Sequence, residues 1–269
     1  MTAKEVLNEL KGLINKSEFI KSIEDAKKAA KCRGTACRAP TKDQIDKLES
    51  NGNSAADWKK IKAAKGIDIS RIRRCYFSGE VTIGKLSGDI DIDGNTSLPS
   101  GLYNSIIVDS NIGDNVLIQD VKTLSNYIVG DASVLFNCGI ISAKAATGDS
   151  SQKENCPLTF GNGSELPIAI ETGGREVKAY AEMTLEIAAK VASSRADREF
   201  LKDYADAVDK YIGKIKQAKG IISEGARVVN TQKVLDSYIG PHAVIDNARV
   251  LVNSAILSGK EEQTEISDG

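Results

Sequence analysis

The chain has 269 residues, 41% apolar and 27% charged, enough apolar material for one large domain or two small ones. A net charge of −1 excludes a global basic field, so no nucleic-acid partner is predicted. No stretch reaches about 18 apolar residues, and the start MTAKEVLNEL has no apolar segment, so neither a membrane span nor a signal peptide is predicted. Five widely spread cysteines favour reduced thiols, a cytoplasmic location and no metal site.

Residues 1–66 are predicted to form an N-terminal helical region. A Thr or Ser followed three residues later by Glu or Gln is a capping box, which marks the start of a helix. Two such boxes occur here: Thr2 with Glu5, and Thr41 with Gln44. One more helix is predicted over 54–64, and a strand-like pattern begins after it.

The next region, 67–176, is predicted to be a first β-helix segment, and a six-residue rhythm of aliphatic residues runs through part of it. Its members are Ile106, Ile112, Ile118 and Leu124, followed after a step of five by Val129, Leu135 and Ile141. One aliphatic residue every six is typical of a left-handed parallel β-helix, in which each coil has three faces of about six residues. The step of five predicts one coil of 17 residues in place of 18. The alternative is a β-sandwich with coincidental spacing.

The rhythm stops at a predicted helical insertion, residues 177–220. Ser194 and Asp197 form a capping signal that divides it into two helices. The second helix carries a heptad seam, whose members are Leu201, Tyr204, Val208, Tyr211 and Ile215. Such a seam needs a partner, which is the first inserted helix, the flank of the β-helix or another subunit.

A second β-helix segment is predicted over 221–269. Ile222, Val228 and Val234 are six apart, and after a step of five come Ile239, Ile245, Leu251 and Leu257. A polar tail follows, with no cap for the last coil. A second subunit would have to cover that coil, or the chain is a fragment of a longer β-helix.

The densest group of polar residues lies at Glu171-Thr172-Gly173-Gly174-Arg175-Glu176. The glycines allow backbone N–H groups to converge on an anion, and the arginine adds a forked donor. Glu171 or Glu176 is the candidate base, and Asn162 in the preceding glycine-rich turn is a candidate substrate ligand. The alternative is that both segments are tight turns that lead into the insertion. His242, the only histidine, is a further candidate base.

The chain resembles a bacterial family of hexapeptide-repeat proteins known mainly as a domain of unknown function. The resemblance spans Thr41 to Leu257 and is most specific at Phe160–Val177, which holds the Gly-Gly-Arg-Glu motif. Three shorter matches lie at Thr41–Trp58, Phe77–Gly79 and Val229–Thr231. The chain departs from the family in its extra N-terminal helices and in ending where relatives usually continue with more repeats.

The resemblance implies a β-helix with a helical insertion and, by loose analogy, an acyltransferase. Its substrate would be a sugar or nucleotide-sugar and its donor acyl-CoA, with Arg175 holding an anionic group. Related folds commonly form trimers with sites between subunits, so a homotrimer is expected. The alternative function is a non-catalytic scaffold or ligand-binding β-helix module. A regulatory domain of a sugar-nucleotide pathway is a third hypothesis.

Overall fold

The computed structural model describes residues 1–92, 96–144, 157–168 and 176–268. The chain divides into two compact units. The helical unit comprises Met1–Lys21 and Thr159–Gln217, and the stack unit comprises Ser22–Leu158 and Ala218–Gly269. No helix within the described ranges is both long and apolar enough to cross a bilayer.

Across its described residues, the stack unit contains three parallel sheets of seven strands each. In spatial order the first sheet holds Ser54–Ala55, Tyr76–Ser78, Ile106–Val108, Thr123–Ser125, Ile140–Ser142, Lys233–Leu235 and Val250–Val252. The second holds Ile61–Ala63, Val81–Ile83, Asn111–Ile112, Tyr127–Val129, Gly220–Ile222, Tyr238–Ile239 and Ala255–Ile256. The third holds Ile72–Arg73, Gly101–Tyr103, Leu117–Gln119, Val134–Phe136, Arg227–Val229, Val244–Asp246 and Glu265–Ser267. The prediction of a mainly β chain with helices is therefore confirmed.

The chain visits the third, first and second sheets in turn, so each turn of the chain adds one strand to every sheet. The register places Ile107, Leu124 and Ile141 at the same position of successive strands, 17 residues apart (124 − 107 and 141 − 124). Their side chains are buried completely, as one inward aliphatic residue per strand requires. The step of five, 107 to 112, therefore recurs in every regular turn and is not a single defect.

Two members of the predicted rhythm are wrong. Ile106 is 41% exposed on the outer surface of the first sheet, and its neighbour Ile107 is the inward residue. At the other end, Ile256 pairs with Ile239 in the second sheet, and Leu257 lies beyond the strand. A shift of one residue turns a side chain to the opposite face of a sheet, so an adjacent aliphatic pair is ambiguous from spacing alone.

Asparagine and aspartate residues hold the corners between sheets. Asn104, Asp120, Asn137 and Asn230 follow successive strands of the third sheet, and all have φ between 47° and 56°. This left-handed region is one that asparagine and aspartate tolerate better than other residues with a side chain. The Asn137 amide donates to Asn230 Oδ1 at 2.8 Å, so the corner residues also bond to each other from turn to turn.

Five helices lie among the described residues: α1 (Ala3–Lys16), α2 (Glu18–Ala36), α3 (Lys42–Ser50), α4 (Leu185–Ser193) and α5 (Arg198–Ile215). Both predicted capping boxes are confirmed, at Thr2 for α1 and at Thr41 for α3. The predicted division of the insertion is also confirmed, because the Asp197 side chain caps α5 by accepting from Phe200 N at 3.0 Å.

The helix predicted over 54–64 is wrong. Two short strands, Ser54–Ala55 and Ile61–Ala63, occupy that segment with one 3-10 turn, Trp58–Lys60, between them. The buried Asn53 side chain fixes the entry, since its amide donates to Ile72 O at 2.8 Å and its oxygen accepts from Cys75 N at 2.9 Å. Pairing with the next turn of the sheets outweighs the weak local helix preference. Strands therefore begin earlier than the predicted residue 67.

The helical unit contains α1, α4, α5 and a small antiparallel hairpin, Glu165–Pro167 with Glu176–Lys178. In the stack unit, Asp89–Asp91 and Ser97–Pro99 form a second hairpin. α1 packs mainly against α5 and also contacts α4. Four of the five predicted seam residues of α5 are buried: Tyr204, Val208, Tyr211 and Ile215. Their partner therefore includes an N-terminal helix that the sequence did not single out.

Candidate functional site

The predicted polar motif falls mostly outside the described residues. Glu171, Thr172, Gly173, Gly174 and Arg175 all lie there. Glu176 is described, and it pairs with Pro167 in the hairpin of the helical unit, where it is half-buried.

Asn162, the other predicted ligand in this unit, is buried and holds a turn. Its side-chain amide donates to Thr159 O at 2.7 Å and to Phe160 O at 3.2 Å. Its oxygen accepts from Ala181 N at 2.6 Å. An amide with both donors and one acceptor site engaged has little capacity left for a substrate.

His242 belongs to the stack unit, at the corner between its second and third sheets. Its backbone has φ 57°, and its side chain is half-buried against the preceding turn of the chain. A Cβ on Gly225 would lie 2.5 Å from His242 Nδ1, which shows how closely the ring fits that glycine. Among the described residues the ring forms no hydrogen bond. His242 and the pair Asn162 and Glu176 thus lie in different units.

The stack unit holds a groove of about 540 Å³ at the corner between the third and first sheets. Ten residues from consecutive turns line it: Gly52, Ser54, Arg74, Cys75, Tyr76, Asn104, Ser105, Ile106, Val121 and Lys122. We call this feature the corner groove. Its floor is apolar, and Val121 there is fully buried. Tyr76 is 42% exposed, so its side chain is accessible to a ligand.

Two cations, Arg74 and Lys122, border the corner groove, and both are exposed. Arg74 stands at a corner position with φ 53°, where most other turns have asparagine or aspartate. Its Nε donates to Asn104 Oδ1 at 2.5 Å, and Asn104 Nδ2 donates to Asp120 Oδ1 at 2.9 Å. This relay fixes the guanidinium, whose two terminal nitrogens have no acceptor within the described part of the chain.

The corner groove has little capacity for acid–base or nucleophilic chemistry. None of the described residues that line it is a carboxylate or a histidine. Burial raises the pKa of the Cys75 thiol to about 12, so it stays protonated and unreactive at neutral pH. Ser105 Oγ is engaged in the corner, because it donates to Tyr103 O at 2.7 Å and accepts from Val121 N at 3.1 Å. The arrangement can hold an anion and a flat or apolar group.

Sequence reasoning did not find the corner groove. Its residues come from segments separated by up to 70 positions (122 − 52), which only the stacking of turns brings together. One signal was available. Arg74 occupies the corner position that asparagine or aspartate occupies in later turns. The left-handed backbone conformation does not favour arginine, so its presence there indicates another role for the side chain.

Residues 37–269 match the family described as "Domain of unknown function (DUF4954)". The chain belongs to this family. It is also similar to an uncharacterised protein of Treponema pallidum (strain Nichols), with 25% identity over 241 residues. That similarity covers 87% of this chain and 32% of the relative, so the chain spans about a third of the length of the curated relative it matches. The transferase activity implied by the hexapeptide resemblance stays a prediction.

Proposed function

We propose that this chain is a non-catalytic ligand-binding module, and that the corner groove binds an anionic sugar derivative such as a nucleotide-sugar or sugar phosphate. The observation that carries the proposal is the pairing of two cations with an exposed aromatic side chain in a groove whose described lining includes no carboxylate or histidine and whose Cys75 thiol stays protonated. Such a set of side chains can bind a ligand but has little capacity to catalyse a reaction on it.

The ligand class follows from the chemistry of the wall. Arginine, held by a relay as Arg74 is, presents a fork that suits phosphate or carboxylate oxygens. Lys122 adds a second positive charge, and Asp120 behind Asn104 offsets part of the total. The Tyr76 face suits a sugar ring or a nucleobase, which stack on aromatic rings. A phosphate joined to a ring can contact all three side chains, with the phosphate at Arg74 and Lys122 and the ring on Tyr76.

We further propose that the three-sheet stack is a left-handed β-helix. Three properties support this: strands of two or three residues, corners in left-handed backbone conformation, and one inward aliphatic residue per strand. Hexapeptide β-helices have the same short faces. A rigid stack of this kind would hold the corner groove in one shape, so little order would be lost on binding.

Isothermal titration with uridine diphosphate-glucose tests the groove. The double variant Arg74→Ala/Lys122→Ala should weaken binding by about 100-fold or more, because each of the two charge-assisted hydrogen bonds that it removes contributes ~1.5–3 kcal/mol and ~1.4 kcal/mol is tenfold in affinity. Lys233→Ala, an exposed lysine on a later strand of the first sheet, is the matched control and should bind as the wild type does. Uridine and inorganic pyrophosphate, titrated separately, report the ring and the anion contributions. Equal affinity in all three proteins would contradict the proposal.

An acyltransferase is the second candidate function, resting on the resemblance and on Glu171, Arg175 and Glu176. It would use acyl-CoA and place its sites between the subunits of a trimer. A thermal-shift screen against CoA thioesters and nucleotide-sugars, repeated on Arg175→Ala, distinguishes the two. A shift with CoA thioesters that Arg175→Ala abolishes favours the transferase. A shift with nucleotide-sugars alone, abolished by Arg74→Ala, favours the binding module.

A further inference from the structure

The apolar face of α5 is buried, and α1, a segment distant in sequence, covers part of it. Seven of its residues are buried: Phe200, Tyr204, Ala207, Val208, Tyr211, Ile212 and Ile215. α4 contributes a shorter apolar stripe, made of Ile187, Ala188, Val191 and Ala192. α1 contacts both helices, and we call the surface that α4 and α5 present to it the α4–α5 groove. An amphipathic helix laid in such a groove is a recurrent mode of recognition.

α1 occupies this groove, and its own features are those of a docked ligand helix. Val6 and Leu10, four residues apart on one face, are completely buried. The opposite face is polar and exposed, with Asn8 and Asn15 among its residues. α1 has 14 residues, a length at which an isolated helix is marginal in water, so its order depends on the groove.

A single residue, Ser17, joins α1 to α2, and its hydrogen bonds hold this connection in place. Its hydroxyl donates to Glu182 Oε2 at 2.6 Å, and the same oxygen accepts from the buried Tyr211 hydroxyl at 2.7 Å. Ser17 also accepts from Ile20 N at 3.0 Å and so caps α2. The polar contacts of this connection are thus concentrated at one point, while the rest of α1 is held by apolar burial.

The groove and the helix that fills it differ in their relation to the family. α4 and α5 lie within the family-matched residues 37–269, whereas α1 lies outside them. The family-matched part of the chain therefore supplies the docking surface, and a segment outside that match supplies its occupant. A helix that a single residue joins to the next element is also a segment that proteins can exchange between copies.

We propose that the α4–α5 groove is a docking site for an amphipathic helix, that α1 is its detachable occupant, and that the α1 of a second copy can take its place. Within one chain the effective concentration of α1 is of millimolar order, so the groove is normally filled from its own chain. The groove accepts a helix from outside only when its own α1 is displaced.

A labelled peptide of residues 1–17 serves as the second copy's α1. The full-length variant Val6→Asp/Leu10→Asp places two charges in the apolar contact, which ejects its own α1. The peptide should bind this variant at least about tenfold more tightly than the wild-type chain, as measured by fluorescence anisotropy. The matched control, Asn8→Asp/Asn15→Asp, adds the same charges to the exposed face of α1 and should bind the peptide as weakly as the wild type does.

Two further arms keep the test decisive. A peptide carrying Val6→Asp/Leu10→Asp should not bind any of the three chains. If loss of α1 loosens α4 and α5, addition of the wild-type peptide should restore helix content in far-ultraviolet circular dichroism. Absence of both binding and restored helicity in the ejected variant overturns the proposal, as does equal binding of the two peptides.

Discussion

Most corners of the stack unit place one residue in the left-handed region of backbone space, and substitutions at two of these corners should have opposite effects on stability. Ala132 has φ 53° and is exposed, so its Cβ meets a steric cost with no compensating bond. Replacing it by glycine removes that cost. We expect Ala132→Gly to raise the free energy of unfolding by up to about 1 kcal/mol in urea titrations.

Asn137 also stands at a left-handed corner, but here the native residue is one that the conformation favours. Its φ of 51° suits asparagine, and its amide bonds to Asn230 at 2.8 Å. Asn137→Ala loses both advantages and should lower the free energy of unfolding by about 1–2 kcal/mol. Asn137→Gly keeps the backbone conformation and should cost less. A larger loss for the glycine variant than for the alanine variant would refute the role assigned to the corner conformation.

A buried phenol gives the stack unit a predicted weakness in alkali. Burial raises the pKa of Tyr127, whose oxygen accepts from Ser237 N at 3.1 Å. An unfolded tyrosine titrates near pH ~10, so above that pH the unfolded chain loses a proton that the folded chain retains. Unfolding then releases a proton, and stability falls as pH rises from about 10 towards the folded pKa. Below that window the contribution of Tyr127 is constant.

Urea unfolding measured from pH 8 to pH 11 checks this sign. Tyr127→Phe removes the titrating group, so its stability should fall less steeply above about pH 10 than that of the wild type. At neutral pH the variant should be weaker by about 1–3 kcal/mol, because Ser237 N–H is left without its acceptor. Parallel profiles for the two proteins above pH 10 would show that another group controls the alkaline loss.

Among the strands, Gly220 marks the point where the chain re-enters the stack after the insertion. It pairs with Tyr127, and a Cβ on Gly220 would lie 2.3 Å from Tyr127 Cζ. Since that ring is completely buried, it cannot move aside at low cost. We expect Gly220→Ala to lower the free energy of unfolding by about 3 kcal/mol or more.

Gly34, in the last turn of α2, is the control for that prediction. Apart from its chain neighbours and the backbone of α2, no described heavy atom lies within 4 Å of a Cβ built there, and its φ is not positive. Alanine is the better helix former, so Gly34→Ala should raise stability by about 0.5 kcal/mol. Equal losses from the two substitutions would mean that close packing against Tyr127 is not what excludes a side chain at 220.

The elements best predicted from sequence are those with a local signal. Capping boxes at Thr2 and Thr41, and the cap at Asp197, fixed three helix starts correctly because cap hydrogen bonds involve only neighbouring residues. The segment 54–64 carried no such signal, and its strands depend on pairing with residues that follow it in sequence. The contact of α1 with α5 was also missed, because a heptad seam shows that a helix has an apolar face but does not indicate which segment packs against it.

For the whole molecule, periodicity predicted three strands per turn, and most of the residues in the predicted rhythm are buried in the stack, because one buried aliphatic residue per strand gives a regular spacing in the sequence. Phe77, Leu102 and Ile107 are also buried and were not part of that rhythm. The only sequence signal of the corner groove was Arg74 at a corner position where later turns have asparagine or aspartate, because the groove's walls come from separate turns. The predicted motif at 171–175 lies outside the described residues, so the role assigned to Arg175 stays a prediction.

The most direct test is a crystal structure of the chain with uridine diphosphate-glucose. We expect the diphosphate between Arg74 and Lys122, one ring of the ligand on the face of Tyr76, and three sheets that coil with a left hand. Ligand density elsewhere on the chain, with the corner groove empty, would contradict the proposed function. A right-handed coil would contradict the proposed fold.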